Sequence, residues 1–293
     1  IFSLKMVFII ILGLFLRKVT KFRCMLIASL AFAPVLALGL FIYLKDKYDR
    51  EPMLWLLLAF VAGILTIAPA IVIERLLEGR MGMGISPNFG SLMLNAFVVV
   101  ALTEELCKFA VLRIVFYRKR FFSEPINGIV YAVMLSLGFA FAESVLHLVG
   151  AHNIYVTAIF RSFTAVPAHF MFAVFMGYFM GQARFTYFKH RFWLILTGLG
   201  LAVFAHGFYD LFLLAWWMPA DFQFVSYGFL FAGIVIAVLF INKAQSRSPF
   251  MKRRKWLRTL EKIKERDFQE FLASQKKQMK NRRENMNNND LVE

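Results

Sequence analysis

The sequence predicts an all-α fold: a polytopic transmembrane helical bundle of about seven or eight spans, with a polar site enclosed by four helices. The first observation is composition, since 60% of the 293 residues are hydrophobic and 17% are aromatic. Soluble domains contain about 45–50% apolar residues. The second is the recurrence of apolar runs of about 20 residues, the length that crosses a bilayer as a helix. The third is the lack of alternating strands of about ten residues, which a transmembrane barrel needs.

Seven apolar runs are long enough to span, and they lie near residues 25–44, 53–73, 91–113, 126–149, 154–181, 191–217 and 222–242. An eighth run, 1–16, is short and contains Lys5. It fits a spanning, a signal-like or an interfacial segment equally well. The chain is therefore expected to have three regions. Residues 1–24 form an apolar and basic segment of uncertain topology, residues 25–242 form the membrane-embedded bundle, and residues 243–293 form a basic tail.

The positive charge is concentrated in the tail. The chain has a net charge of +16, and residues 243–293 hold 15 basic and 7 acidic side chains. Such a segment after the last span indicates a cytoplasmic location and contact with anionic lipid headgroups. Nothing in the chain is typical of a nucleic-acid-binding module, so we expect no nucleic-acid partner.

Basic residues near the ends of the spans predict the topology. Two clusters agree with a cytoplasmic tail, namely Arg113, Arg118, Lys119 and Arg120, and then Arg184, Lys189 and Arg191. A third cluster disagrees, because three spans separate Arg118 from Arg17, Lys18, Lys21 and Arg23. The orientation of residues 1–24 stays open. The predicted location is the cell membrane, with the tail in the cytoplasm.

Within the tail, Trp256, Leu260 and Ile263 recur at helical spacing among charged residues. This pattern predicts an amphipathic helix on the cytoplasmic membrane surface, with a charged, solvated helix as the alternative. After Lys280 the composition turns to Asn and charged residues, and we expect disorder there.

Four of the apolar segments contain ionisable residues. These are Glu104, Glu105 and Lys108 in the third span, Glu143 in the fourth, His169 in the fifth, and His206 with Asp210 in the sixth. An ionisable side chain within the bilayer is costly, so it usually marks a functional site. The pattern predicts that these side chains meet in one buried polar site.

The spacing predicts how these residues pair. Glu104 and Lys108 are four residues apart and can pair along a helix, which would leave Glu105 freer to act as a general base. The alternative is a purely structural ion pair. His206 and Asp210 have the same spacing, which suits either a histidine oriented by a carboxylate or two metal ligands.

Glu143 and His169 are harder to assign. His147 lies four residues after Glu143 and is its expected partner, with pairing to Arg161 or Lys108 on other helices as the alternative. His169 follows Pro167, which predicts a kink in its helix.

Cys107 has acidic and apolar neighbours, which disfavour a reactive thiolate. The motifs H-E-x-x-H, G-x-S-G and G-x-G-D do not occur, which argues against three other intramembrane hydrolytic sites.

The chain resembles the PrsW family in four segments that occur in the same order. They are E-E-x-x-K (104–108), F-x-x-x-E (139–143), P-x-H (167–169) and H-x-x-x-D (206–210). That family belongs to the superfamily of the type II CAAX prenyl proteases. The resemblance covers about residues 30–215 and extends to Asp46, Glu51-Pro52, Asn127-Gly128 and Tyr131. Two departures are Ser144 and Asp210, where many relatives carry Asn.

The resemblance implies an intramembrane endopeptidase that cuts a membrane-bound protein of the anti-sigma-factor type. The implied catalytic residues are Glu104, Glu105, Glu143, His169, His206 and Asp210, supported by Lys108, Phe139 and Arg161. The superfamily is described as glutamate-dependent or metal-dependent. We favour a site without metal, because Asp210 can orient His206 unaided. A divalent ion such as zinc would use Glu105, Glu143, His169 and His206. The rival class is a proton-coupled transporter, which the lack of an internal repeat disfavours.

Overall fold

The computed structural model describes residues 2–82, 88–215, 217 and 219–289, and in these residues every regular element is helical. The α-helices are α1 (Phe2–Lys45), α2 (Met53–Met81), α3 (Phe89–Leu94), α4 (Thr103–Val111), α5 (Pro125–Gly150), α6 (Ile154–Phe163), α7 (Ala165–Arg184), α8 (Phe188–Leu213), α9 (Gln223–Ser246) and α10 (Pro249–Asn289). Two π-helical stretches, Asn95–Leu102 and Leu112–Phe116, flank α4, and a 3-10 turn covers Ala220–Phe222. The predicted all-α class is confirmed. The chain divides into two compact units, residues 1–247 and 248–293.

In the described part of the chain, six helical stretches are long and apolar enough to cross a membrane. They are Lys21–Lys45, Met53–Arg80, Pro125–Gly150, Ile154–Arg184, Phe188–Leu213 and Gln223–Ser246. The expected span at 91–113 is not among them, because its helical course is divided into α and π stretches and carries several charges. It still contacts α2 and α8 inside the bundle. At the amino end, α1 runs unbroken through the boundary that we expected near residue 24.

Helices α5 and α7 form the centre of the bundle, and glycines let them approach closely. A Cβ atom on Gly128 would lie 2.4 Å from the carbonyl oxygen of Gly177, and one on Gly181 would overlap the carbonyl oxygen of Pro125. The backbones are therefore in direct contact, as the spacing of Gly177 and Gly181 predicts. This contact fixes α5 and α7, which carry Glu143 and His169, relative to each other.

The kink expected at Pro167 lies three residues earlier. The helical course breaks at Thr164, where φ is −121° and ψ is −78°, and α7 starts at Ala165. Proline is tolerated in the first turn of a helix, whereas its ring would clash with the carbonyl of the fourth preceding residue inside one. The break therefore places Pro167 in the first turn of α7 and His169 just after it.

A second buried polar cluster joins the α1–α2 turn to the start of α5. The backbone N–H of Glu51 donates to Asp46 Oδ2 at 3.0 Å, and the hydroxyl of Tyr131 donates to Glu51 Oε2. Asp46, Glu51 and Glu124 are all buried. Burial raises the pKa of Asp46 to about 6 and the pKa of Glu51 to about 8. Both carboxyl groups therefore bind a proton more readily in the folded protein than in the unfolded chain.

This cluster should make the protein less stable as pH rises. Both pKa values are higher in the folded state, so the stabilisation is present below about pH 4 and is lost as pH rises through 6 and 8. We expect the free energy of unfolding in detergent to fall by roughly 2 kcal/mol or more between pH 5 and pH 9. Glu51→Gln should flatten this dependence, whereas Asp221→Asn, at an exposed site, should leave it unchanged. A pH profile that Glu51→Gln does not alter would contradict the assignment.

The second unit consists mainly of α10. Its apolar side chains Trp256, Ile263, Phe268 and Phe271 are exposed. The helix continues to Asn289, past Lys280, where we expected disorder. Arg282, Arg283, Glu284 and Met286 have high intrinsic helix propensity and favour the longer helix, although the other residues from 281 to 289 are Asn.

Candidate active site

The four motif segments meet around one cavity of about 420 Å³. Its walls come from α2, α4 with the preceding π-helical stretch, α5, α6, α7 and α8. The polar lining residues are Glu74, Glu104, Glu143, His147, Arg161, Thr164, His169, His206, Tyr209 and Asp210. Of the predicted site residues, Glu105 and Lys108 lie outside this lining. The cavity is mostly apolar in its remaining walls, so charged groups inside it are poorly shielded by water.

Lys108 connects the motifs. Its Nζ lies 3.0 Å from Glu104 Oε2, 2.8 Å from Glu105 Oε1 and 3.2 Å from His169 Nδ1. An ammonium group has three N–H donors, and these three contacts use all of them. The ring of Phe139 lies below the same ammonium, 3.9 Å from Nζ to its centroid. The buried ammonium group of Lys108 therefore contacts the aromatic face of Phe139 in addition to two carboxylates.

The partners and the burial of the two adjacent glutamates differ from those that their spacing predicted. Glu105, expected to be the freer one, is 1% exposed and contacts both Lys108 and His206 Nδ1, the latter at 3.1 Å. Glu104 forms the predicted pair with Lys108 and also lines the cavity. One helical step of about 100° separates the two side chains, and the helix presents Glu104 to the cavity and Glu105 to the protein interior. The prediction that Glu105 is the freer of the two glutamates was therefore wrong.

The protonation of His169 follows from its partners. Lys108 can only donate, so His169 Nδ1 accepts, and in the neutral ring Nε2 carries the proton. That nitrogen lies 2.7 Å from Glu143 Oε2. Glu143 also contacts Arg161 Nη2 at 2.9 Å and the predicted partner His147 at 3.3 Å. Glu143 is thus surrounded by three basic side chains from α5, α6 and α7, with a hydrogen bond to His169 and an ion pair with Arg161.

His206 lies between two carboxylates. Its Nδ1 faces Glu105 and its Nε2 lies 3.2 Å from Asp210 Oδ2, as the spacing of four residues predicts. Phe172 stacks on the imidazole, with 4.6 Å between ring centroids and 17° between planes. The ring therefore cannot rotate freely, and its orientation is fixed by a carboxylate on each side and an aromatic face.

Sequence reasoning missed Glu74, Phe172 and Tyr209 as lining residues. Glu74 carries the same signal as the other acids, but the predicted span ended at residue 73 and so placed it outside the membrane. Phe172 and Tyr209 belong to helices rich in aromatic residues, where nothing distinguishes them. The π-helical stretch Asn95–Leu102 was not predictable either. Such stretches are frequent at functional sites, and this one precedes Glu104 directly.

Three side chains in the site could hold a metal ion. Glu104, Glu105 and His206 each offer one ligand atom, and these atoms lie within 4.8 Å of one another. The second carboxylate oxygen of Glu105 is buried without a hydrogen-bond partner. This set differs from the predicted one, because Glu143 and His169 contact each other and Arg161 and Lys108 instead. The two sets share only Glu105 and His206.

The fold and the site together define a polytopic helical membrane protein with a carboxylate–histidine network at a cavity among its spans. This is the architecture of an intramembrane hydrolase. A family model described as PrsW family intramembrane metalloprotease matches residues 51–241. The chain belongs to the PrsW family, and the predicted enzyme class, an intramembrane protease, is confirmed.

Relatives named Protease PrsW support this assignment. The protein of Geobacillus kaustophilus is 39% identical over 187 residues, which cover 64% of this chain and 79% of the relative. That of Bacillus subtilis is 37% identical over 190 residues, covering 64% and 83%. That of Clostridioides difficile is 32% identical over 189 residues, covering 63% and 78%. No solved structure matches the chain significantly.

Proposed function

We propose that the protein hydrolyses a peptide bond of a membrane-bound protein, with water activated by Glu104 in the cavity. The main support for this proposal is that Glu104 and its neighbours Glu105 and Lys108 occupy different positions relative to the cavity. Glu104 lines the cavity, whereas Glu105 and Lys108 lie behind it and hold it in place. A base must reach the water whose proton it takes, and Glu104 is the member of the pair that does.

The reaction needs a base, a stabilised oxyanion and a proton for the leaving amine. Glu104 would take a proton from water as the water oxygen bonds to the scissile carbonyl carbon. The same proton would then pass to the amide nitrogen as the carbon–nitrogen bond breaks. Lys108, 3.0 Å from Glu104 Oε2, stabilises the carboxylate in the starting state. The products are a new carboxyl end and a new amine.

His206 would stabilise the oxyanion. The Nε2 atom of His206 faces the Asp210 carboxylate and so acts as a hydrogen-bond donor, while Nδ1 faces Glu105. Its Nε2 lies 4.0 Å from Glu104 Oε2, so a donor and the base are adjacent. Asp210 and Glu105 would position the ring. The ring of His169 lies beside that of His206, 5.4 Å between centroids, and Glu143 with Arg161 and His169 would orient the substrate or the water.

The position of the cavity supports cleavage near the outer membrane surface. Its lining includes the end of α5, the end of α6, the start of α7 and the end of α8. Arg118, Lys119 and Arg120 precede α5, and Lys189 lies at the start of α8, so these basic residues belong to the opposite ends of those helices. The positive-inside rule assigns the basic ends to the cytoplasm. A substrate of the anti-sigma-factor type, as the family resemblance suggests, would then be cut at the outer side of its single span.

The donor set also fits a divalent metal ion. Two carboxylates and one imidazole, with the unpartnered oxygen of Glu105, are ligands that zinc accepts. Glu104, Glu105 and His206 would hold the ion, which would supply Lewis-acid stabilisation and a more acidic bound water. Lys108 already supplies a positive charge at both carboxylates, so the side chains alone can provide the charge stabilisation that the reaction needs.

Removal of metal by a chelator tests whether cleavage depends on a bound ion. We expect purified protein treated with a strong chelator to retain at least half of its cleavage rate, because the ammonium of Lys108 neutralises the glutamates without help. Elemental analysis should accompany the assay. Stoichiometric zinc, whose removal abolishes cleavage and whose return restores it, would contradict the metal-free mechanism and assign Glu104, Glu105 and His206 as ligands.

The proposed function itself is tested with purified full-length protein in proteoliposomes. The probes are single-span proteins with different outer flanking segments, and mass spectrometry identifies new chain ends. We expect a cut at the outer end of the span. Cuts that are confined to the cytoplasmic flank, or cleavage that survives Glu104→Gln, would contradict the proposal.

A further inference from the structure

Glu74 is the acidic lining residue of the cavity that the mechanism does not use. It lies on α2, near the end of the helix that faces away from the α1–α2 turn, and is partly buried. Its electrostatic neighbours are Glu104, Glu143, Glu78 and His206, with the carboxylates predominating. Glu74 therefore adds a further carboxyl group to a wall that is already acidic.

Glu74 also differs from the other acids of the cavity in its lack of a cationic partner. Glu104 pairs with Lys108, Glu143 pairs with Arg161, and Asp210 pairs with His206. Among the residues that the structure describes, Glu74 forms no hydrogen bond or ion pair. On its own helix, the positions three and four residues away hold Ala70, Ile71, Leu77 and Glu78, none of which is basic. Its carboxylate is thus available to a group that enters the cavity.

A cationic group would gain the most from this position. In a cavity with mostly apolar walls, an ion pair is less screened than at an open surface. An acidic group of a substrate would be repelled by Glu74, Glu104 and Glu143 together. A neutral group could donate a hydrogen bond to Glu74 but would lack the attraction between opposite charges.

We propose that Glu74 is a specificity-determining residue of this protease, which pairs with a Lys or Arg side chain of the substrate near the scissile bond. The inference rests on the proposed function, since it assigns a substrate feature to the same cavity. Glu74 lines the cavity from α2, a helix that contributes none of the residues assigned to the reaction. It would therefore contact a flanking residue of the substrate rather than the reacting carbonyl.

Binding measurements test this without requiring turnover. The protein is Glu104→Gln in lipid nanodiscs, and the probes are single-span peptides in which Lys, Gln or Glu is scanned through the outer flank. At one or two positions, the peptide with Lys should bind about tenfold more tightly than the peptide with Gln. The peptide with Glu should bind more weakly than both. Adding Glu74→Gln should remove the preference for Lys, and adding Glu74→Lys should transfer it to Glu.

Glu78→Gln is the matched control, because Glu78 is exposed one turn further along α2 and lies outside the cavity lining. It should leave the preference unchanged. The inference is wrong if Lys gives no advantage at any position, if the advantage survives Glu74→Gln, or if Glu78→Gln removes it equally. Peptides that bind with the expected Glu74-dependent preference, yet are never cut by the unmodified protein, would contradict the proposed function alone. Cleavage without any charge preference would contradict this inference alone.

Discussion

Glu104→Gln is expected to lower the cleavage rate by about 10²-fold or more, because it keeps the shape of the side chain and removes the base. The Gln amide retains an oxygen that can accept from Lys108, so the 3.0 Å contact has a replacement and the fold should survive. The loss should appear in kcat rather than in KM, since the carboxylate acts in the chemical step. The measurement is single-turnover cleavage of a reconstituted single-span substrate.

Cys107→Ala is the control for this prediction. Cys107 lies on the same helix and is partly buried, but it is not part of the cavity lining. Its substitution should change the rate by less than about threefold. Thermal unfolding of both variants in the same detergent separates chemistry from stability. Loss of cleavage in Cys107→Ala with activity retained in Glu104→Gln would exclude the glutamate mechanism.

Lys108→Met is expected to destabilise the protein by about 3–5 kcal/mol, the usual cost of removing one partner from a buried ion pair. Lys108 is 2% exposed and bonds to Glu104, Glu105 and His169. Methionine has a similar length, so the loss comes from two carboxylates left without their cation rather than from a void. Cleavage should be lost as well, because Lys108 also holds Glu104 in position at the cavity.

A double variant separates this electrostatic cost from packing. Adding Glu105→Gln to Lys108→Met removes one of the stranded carboxylates and should recover part of the stability. Lys189→Met, at an exposed position, should change the unfolding temperature little. If Glu105→Gln gives no recovery, the buried cation is not what stabilises the glutamates, and the network assigned to Lys108 is wrong.

The helical class and the convergence of the motifs could be predicted from the sequence because both follow from burial cost. A Glu, His or Asp within an apolar span has few tolerable surroundings other than a shared polar site. The pairs Glu104–Lys108, Glu143–His147 and His206–Asp210 also followed, since each is four residues apart on one helix.

The errors arise where local spacing gives incomplete information. Spacing indicated that Glu105 would be free, but Lys108 has three donors and contacts both glutamates. Proline indicated a kink at residue 167, but the break lies at Thr164, because proline belongs in the first turn of the new helix. Glu74 was missed because the end of a span cannot be read from hydropathy to within one turn.

The sequence by itself determined that this protein is a helical membrane protein with one polar site, and which residues belong to the motifs of a PrsW-type protease. Composition and period are local properties, and they need no knowledge of neighbouring helices. Only the tertiary structure decided that Glu104 rather than Glu105 faces the cavity, that Glu143 pairs with Arg161, and that His169 contacts Lys108. These contacts join residues on different helices, and their geometry depends on how α5 and α7 pack through their glycines, which spacing along one helix does not contain.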